Sequence, residues 1–287
     1  MTARTVLTLA ALTLREAARR RVLRSLGLLM VVLLGLSAWG FSSLLHMEFD
    51  GATLTTGEAR LVASQVINLV MFGLSLIAAL GTAFLAGPTL AGEMESGIAL
   101  AVLARPVRRS AVLLGKWLGL VIFGAGFVVV AGLAQFVIVW VTVGYWPPQP
   151  VTGLALLAAQ TAVLLTLGLL LSTAISPMAS GIVAVGLFGA TWIAGVVGGV
   201  GLALGNESVA QVGTVSRMLL PTDGLWRGAM HAFQDPLALA QAGGPALQGG
   251  FPFLSVAPLA PAYLAWTALW VALVLGLAVL AFRRRDL

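Results

Sequence analysis

The chain has 287 residues, of which 60% are hydrophobic and only 9% charged, against roughly 25% charged in ordinary soluble domains; its mean hydropathy of +1.03 excludes a soluble globular fold. The lack of cysteine excludes a disulfide framework, a thiol nucleophile and a thiolate metal site. A net charge of +6 would point a soluble domain toward nucleic acid, but here the cations flank apolar runs, and a lipid bilayer accounts for them with no nucleic acid partner.

Residues 3–24 put Val6, Leu7, Ala10, Leu14, Ala17 and Ala18 on one helical face and Arg15, Glu16, Arg19 and Arg20 on the other. That pattern predicts an amphipathic helix lying in the membrane interface, with Glu16 and Arg20 at i,i+4 spacing. A helix needs about 20 apolar residues to cross ~30 Å of hydrocarbon. By that yardstick the chain holds six spans, near 25–45, 62–88, 113–142, 152–174, 178–204 and 260–282. No small-residue cleavage pattern follows the first, which is therefore expected to remain as an anchor. Thr55 with Glu58 reads as a capping box for the second span, Ser110 as the cap of the third, and Ser176-Pro177 as N-cap and first position of the fifth.

Thirteen of the sixteen Lys and Arg residues fall on one side of this arrangement; Arg60, Arg217 and Arg227 fall on the other. The positive-inside rule then predicts cytoplasmic termini. Span five is rich in glycine, and Gly195 with Gly199 and Gly201 with Gly205 give two G-x-x-x-G spacings that predict close helix packing. Segment 206–258 is too polar and broken to span, but can dip back beside protein. Within it, Thr222 is placed to cap a short helix.

Chemistry inside the spans is sparse. Gln65, Asn68, Gln135 and Gln160 are the strongly polar residues well inside them, and each reads as an interhelical hydrogen bond rather than a substrate ligand. Ion-driven carriers use intramembrane carboxylates or histidines, and no span carries a charge at its centre. His46-Met47-Glu48 and Met230-His231 offer soft ligands of the kind copper takes, but as isolated pairs they read as ordinary loop residues. No catalytic, cofactor or metal site is expected. Gly115-Lys116 lacks the remaining glycine and hydroxyl of a phosphate-binding loop, and Lys116 reads as a snorkelling cation.

The informative stretch is Gly92–Gly119, GEMESGIALAVLARPVRRSAVLLGKWLG. Each of its charges would cost at least ~2.5 kcal/mol in hydrocarbon, so it must lie in water between spans two and three. It also carries an apolar patch beside an Arg-Pro helix stop. A short helix with one greasy face flanked by charge is built to be gripped by a partner that supplies force. Glu93, Glu95, Gly97, Leu100, Leu103, Arg105, Pro106, Arg108 and Arg109 are the docking residues expected.

Three motifs in this stretch carry a resemblance: Gly92-Glu93-Met94-Glu95-Ser96-Gly97, Arg105-Pro106-Val107-Arg108-Arg109 and Gly115-Lys116-Trp117-Leu118-Gly119. They resemble the E-x-E-x-G, [RS]-P-x-x-R and G-K-[FW]-L-G elements of membrane subunits of ATP-binding cassette exporters of the second type. REAARRRVL near the N-terminus and LLPTDGLWRGAM in the outer segment are similar to permeases grouped with the copper-maturation system of nitrous oxide reductase. Ser96-Gly97-Ile98 departs from the Gly-Thr of many relatives.

The resemblance implies an all-α transmembrane permease of six spans forming one domain. Residues 3–24 would be its connecting helix, 89–112 its coupling region, and 206–258 would hold short re-entrant helices before span six. It further implies a homodimer in a bacterial inner membrane, two separate ATPase subunits carrying the ATP and Mg, and an accessory protein outside the membrane. A non-transporting scaffold is the second reading. A secondary carrier is the third.

Overall fold

The computed structural model describes residues 3–19, 21–44, 48–49, 52–53, 56–89, 108–235, 252–255 and 257–284. Its helices, in chain order, are α1 Ala3–Ala17, α2 Arg21–Leu44, α3 Thr56–Gly87, α4 Arg109–Val143, α5 Pro150–Ser172, α6 Pro177–Ala203, α7 Glu207–Leu219, α8 Thr222–Phe233 and α9 Pro261–Arg284. Between α2 and α3, β1 Glu48–Phe49 and β2 Ala52–Thr53 pair antiparallel, Glu48 opposite Thr53. Among the described residues, six helices (α2 to α6 and α9) are long and apolar enough to cross a membrane. The described residues therefore form an all-α fold with six candidate spans. Helix is the form these segments must take, because hydrocarbon satisfies no backbone N–H or C=O from outside the chain.

Helix ends follow local chemistry. Pro150 and Pro177 occupy first-turn positions, where a missing N–H costs nothing. Gly144, at φ 69°, ends α4 with its N–H on Trp140 O at 2.9 Å. Asn206 caps α7 by accepting from Val209 N at 3.2 Å. Of three further expected caps, one holds its position and two differ. Ser176 stands at the N-cap of α6 but makes no side-chain capping bond. Ser110 lies inside α4, which starts one residue earlier. Thr222 is the first residue of α8, and its hydroxyl meets Thr191 Oγ1 on α6 at 3.0 Å. A hydroxyl with a partner on the neighbouring helix does not turn back to its own backbone. Thr55 lies outside the described residues.

The N-terminal segment is two helices rather than one, α1 ending at Ala17 and α2 beginning at Arg21, with a turn at 18–19 after α1. Its packed face is also rotated from the expected one. Ala10, Thr13 and Ala17 are buried, while Leu7 is 60% exposed. Glycines explain the rotation: a Cβ at Gly115 would lie 2.5 Å from Leu9 Cβ, and one at Gly119 would lie 2.6 Å from Ala10 O. The backbone of α1 thus lies on a glycine strip of α4, and the residues facing the strip are the ones buried.

The main core forms around α3, α5 and α8. Ala63, Ile67, Met71, Leu157, Leu225, Trp226, Met230 and Phe233 are all buried there. The Trp226 ring of α8 lies tilted 5.4 Å from that of Phe72, a residue near the middle of the Val62–Gly87 apolar run. Phe233 sits 5.3 Å from Phe136 of α4, and its ring presses on Gly153 of α5. The helix preceding the last span is thus enclosed by the bundle rather than resting on its end.

Polar residues inside the spans close most of their bonds between elements. Gln135 Nε2 donates to Ser37 Oγ, joining α4 to α2. Ser75 Oγ donates to Gln160 Oε1 at 3.1 Å, joining α3 to α5. Asn68 Nδ2 instead donates to Phe253 O at 3.1 Å, in the return segment rather than on a helix. The Gln65 side-chain nitrogen has no partner among the described residues.

The Gly119→Leu substitution is expected to push α1 off α4 and cost about 1–3 kcal/mol, the usual range for overpacking. Gly126→Leu serves as control, since a Cβ there meets nothing within 4 Å. Thermal unfolding of the two purified variants checks this: a drop in Tm confined to G119L is expected.

Candidate functional site

Two places concentrate charge and geometry, one at each end of the bundle. The first surrounds the connection from α3 to α4. Segment 90–107, with Glu93, Glu95, Gly97, Leu100, Leu103, Arg105 and Pro106, lies outside the described residues, as does Arg20. The frame that holds the segment is described. Lys116 is 7% exposed, and its Nζ donates to Thr89 O at 2.7 Å. It does not snorkel to water; it binds one of the carbonyls left open where α3 ends, where the helix dipole favours a cation. The start of α4 and the end of α3 are thereby tied.

Further ties surround them. Arg109 Nη1 donates to Arg283 O at 3.4 Å, bringing the end of α9 to the start of α4. Gly87 touches Pro177 O and lies close to Ser180 Oγ, so the last turn of α3 rests on the first turn of α6. Arg15, Glu16, Arg19 and Arg108 are exposed around this end. The chemistry available here is mechanical and electrostatic: two helix ends are fixed to each other, α1 is seated on the second of them, and Arg15, Arg19 and Arg108 are exposed.

The opposite end holds a charge cluster that the sequence reading missed. Asp223, in the first turn of α8, is 3% exposed. Its Oδ2 accepts from Arg217 Nε at 2.9 Å and from Arg227 Nε at 3.0 Å. Arg227 Nη2 also donates to Gly195 O at 2.8 Å, joining the cluster to α6. Gly195 is required there, because a Cβ would collide with the Asp223 carboxylate. The available signal was weak: Asp223 and Arg227 stand at i,i+4 on α8, a spacing more often found on exposed helix faces.

Glycine packing on α6 uses a different register from the expected pair of spacings. Gly198 and Gly201 meet α7, with a Cβ at Gly198 lying 2.6 Å from Gly213 Cα and one at Gly201 lying 2.5 Å from Ala210 N. Gly195 faces Asp223, while Gly199 is buried beside a cavity. Gly205 packs no helix: it has φ +68° with open space around it, and ends the helix instead. Steps of three, not four, keep these glycines on the side facing α7 and α8.

Above the cluster lies a cavity of about 460 Å³ between α6, α7, α8, α9 and the return segment. Arg217, Arg227, Ser255 and Tyr263 line it together with Leu202, Leu254 and Leu259. Tyr263 Oη donates to Arg217 O at 3.0 Å. At the far end of α8, Tyr145 Oη donates to Phe233 O at 2.6 Å. Burial, reinforced by Asp235, raises the pKa of that phenol and keeps it a donor. His231 Nδ1 lies 3.2 Å from Ser255 O. Met230 and His231, expected in a loop, lie on α8 among the described residues. His46 and Met47 lie outside them.

No curated protein matches the chain. The family model of the ABC-2 family transporter proteins matches residues 7–287. The chain belongs to that family. This ABC-2 protein is thus a multi-pass membrane permease of a transport system, and membership implies association with ATP-binding cassette subunits in a membrane complex. Permeases of the ABC-2 family are membrane subunits, generally without catalysis of their own.

Removing Asp223 leaves two cations facing each other without their shared anion. Asp223→Ala is expected to cost about 2–3 kcal/mol, below the ~3–5 kcal/mol of a fully buried pair, because the arginine side chains keep 25% and 20% of their exposure. Denaturant unfolding of D223A in detergent measures the loss. A double-mutant cycle with Arg227→Gln should recover at least part of it.

Proposed function

We propose that this ABC-2 permease forms half of an ATP-driven exporter. In this reading two copies build the pathway, each docked to a separate subunit that binds ATP and Mg. Residues 89–112 are the coupling region and residues 3–24, which include α1, the connecting segment. Both lie with the termini in the cytoplasm of a bacterial cell whose inner membrane holds the complex. Glu93, Glu95, Gly97, Leu100, Leu103, Arg105, Pro106, Arg108 and Arg109 contact the ATPase subunit. The N-terminal and outer motifs similar to permeases of the nitrous oxide reductase copper-maturation system support the same architecture, with an accessory protein on the far side.

The observation that carries the reading is the tie between Lys116 Nζ and Thr89 O. It joins the helix ends on both sides of the segment that a partner would grip, and Gly115 and Gly119 seat α1 on the same unit. Force applied to 90–107 therefore reaches α1, α3 and α4 together. Stiff packed helices carry such a displacement across the membrane better than independent ones.

The test uses the permease co-expressed with its ATPase subunit. Reversing Glu93 and Glu95 to Lys is expected to lower recovery of the ATPase with the permease by about tenfold, the effect of ~1.4 kcal/mol, with membrane insertion unchanged. Undiminished recovery together with full ATP-driven flux in vesicles would remove these residues from the interface. Transport by the permease alone under an ion gradient would overturn the ATP-driven reading.

A further inference from the structure

We propose that the cavity above Asp223 binds the phosphate of an anionic lipid headgroup, with Arg217 and Arg227 as its donors. This inference stands apart from the transport reading and rests on the charge and walls of the cavity.

Both arginines line the cavity, and no carboxylate does among its lining residues. Asp223 lies beneath them, and one carboxylate offsets only one of two guanidiniums. The cluster therefore carries one uncompensated positive charge. Both Nε groups go to Asp223 Oδ2 and Arg227 Nη2 goes to Gly195 O. The other terminal nitrogens of both side chains are unengaged by hydrogen bonds among the described residues. A guanidinium fixed at Nε with its remaining N–H groups available is a preorganised phosphate donor.

The site is built rather than left over. Besides Gly195 beneath Asp223, Gly224 has no side chain because the Tyr263 phenol occupies the space a Cβ would need. Tyr263 Oη in turn donates to the carbonyl of Arg217, fixing the backbone that carries this donor. The arginine side chains are 25% and 20% exposed and both line the cavity, so an anion entering it meets them.

The remaining walls identify the source of the phosphate. Leu202, Leu254, Leu259 and Ala257 give the cavity an apolar side. Leu202 is near the end of one span, α6, and Tyr263 near the start of another, α9. Span ends lie where headgroups meet hydrocarbon. An anion with an attached acyl chain uses both halves of the cavity; inorganic phosphate uses one. The volume of about 460 Å³ lies in the range of ~300–1,000 Å³ usual for ligand sites.

The full chain, purified in a neutral detergent, is titrated calorimetrically with dihexanoyl phosphatidylglycerol, dihexanoyl phosphatidylcholine and sodium phosphate in parallel. Saturable binding of the phosphatidylglycerol, about tenfold or more tighter than the phosphatidylcholine and weakened by salt, is expected. Arg217→Gln should abolish that preference. Ala257→Trp should fill the cavity from an exposed position without touching a charge, and so lower affinity for the lipid even if R217Q fails to fold. Equal affinity for both lipids, or unchanged lipid affinity in a folded A257W, overturns the site. Sodium phosphate binding as tightly as phosphatidylglycerol overturns the lipid and leaves a free-anion site.

Discussion

Hydrocarbon offers no hydrogen-bond partner, and this protein is arranged so that its helices supply one another. Gln135 reaches Ser37, Ser75 reaches Gln160 and Trp117 Nε1 reaches Thr166 Oγ1 at 2.8 Å, each across a helix boundary. The same constraint explains how a carboxylate can be nearly buried at the far end. Asp223 would be prohibitively costly alone, but two guanidiniums and a helix N-terminus surround it. Polar groups here are tolerated in proportion to how completely protein, not solvent, answers them.

Close approach is what lets the partners meet. α1 lies on α4 at Gly115 and Gly119, α7 lies on α6 at Gly198 and Gly201, and α3 rests on α6 at Gly87. In lipid there is little hydrophobic gain from pressing one apolar helix on another, so contact area and backbone proximity decide association. Each glycine crossing also fixes a register, because a small sideways step would bring a backbone carbonyl or a Cβ into the space the missing side chain leaves.

These crossings join the two ends of the molecule. The helix ends flanking 90–107 are tied by Lys116, and α3 continues from there into the aromatic group of Phe72, Trp192, Trp226 and Phe253. Through Trp226 and Phe253 the same helix touches α8 and the return segment, which closes over the arginine-lined cavity. In the proposed transporter, a displacement delivered at one end would arrive at the other through packed aromatic rings, which leave little room for independent motion.

The amino-acid sequence by itself determined the six spans and their approximate ends, since span length answers to bilayer thickness and span composition to the cost of charge in hydrocarbon. It also marked 206–258 as too polar and broken to span, and the motifs of Gly92–Gly119 pointed to the family whose model matches residues 7–287. Only the tertiary structure decided which partners meet. Sequence spacing suggested Gly195 with Gly199 and Gly201 with Gly205, whereas the crossing of α7 selected Gly198 and Gly201 and left Gly205 as a helix end. Lys116 read as a cation bound for water, but the end of α3, 27 positions away in sequence, offers it a carbonyl instead. Arg217 and Arg227 stood in the sequence only as cations of the outer side, and they meet the buried Asp223 because α8 is enclosed by other helices. Composition fixes what each segment can tolerate; which groups come within bonding distance depends on helix positions that no local pattern encodes.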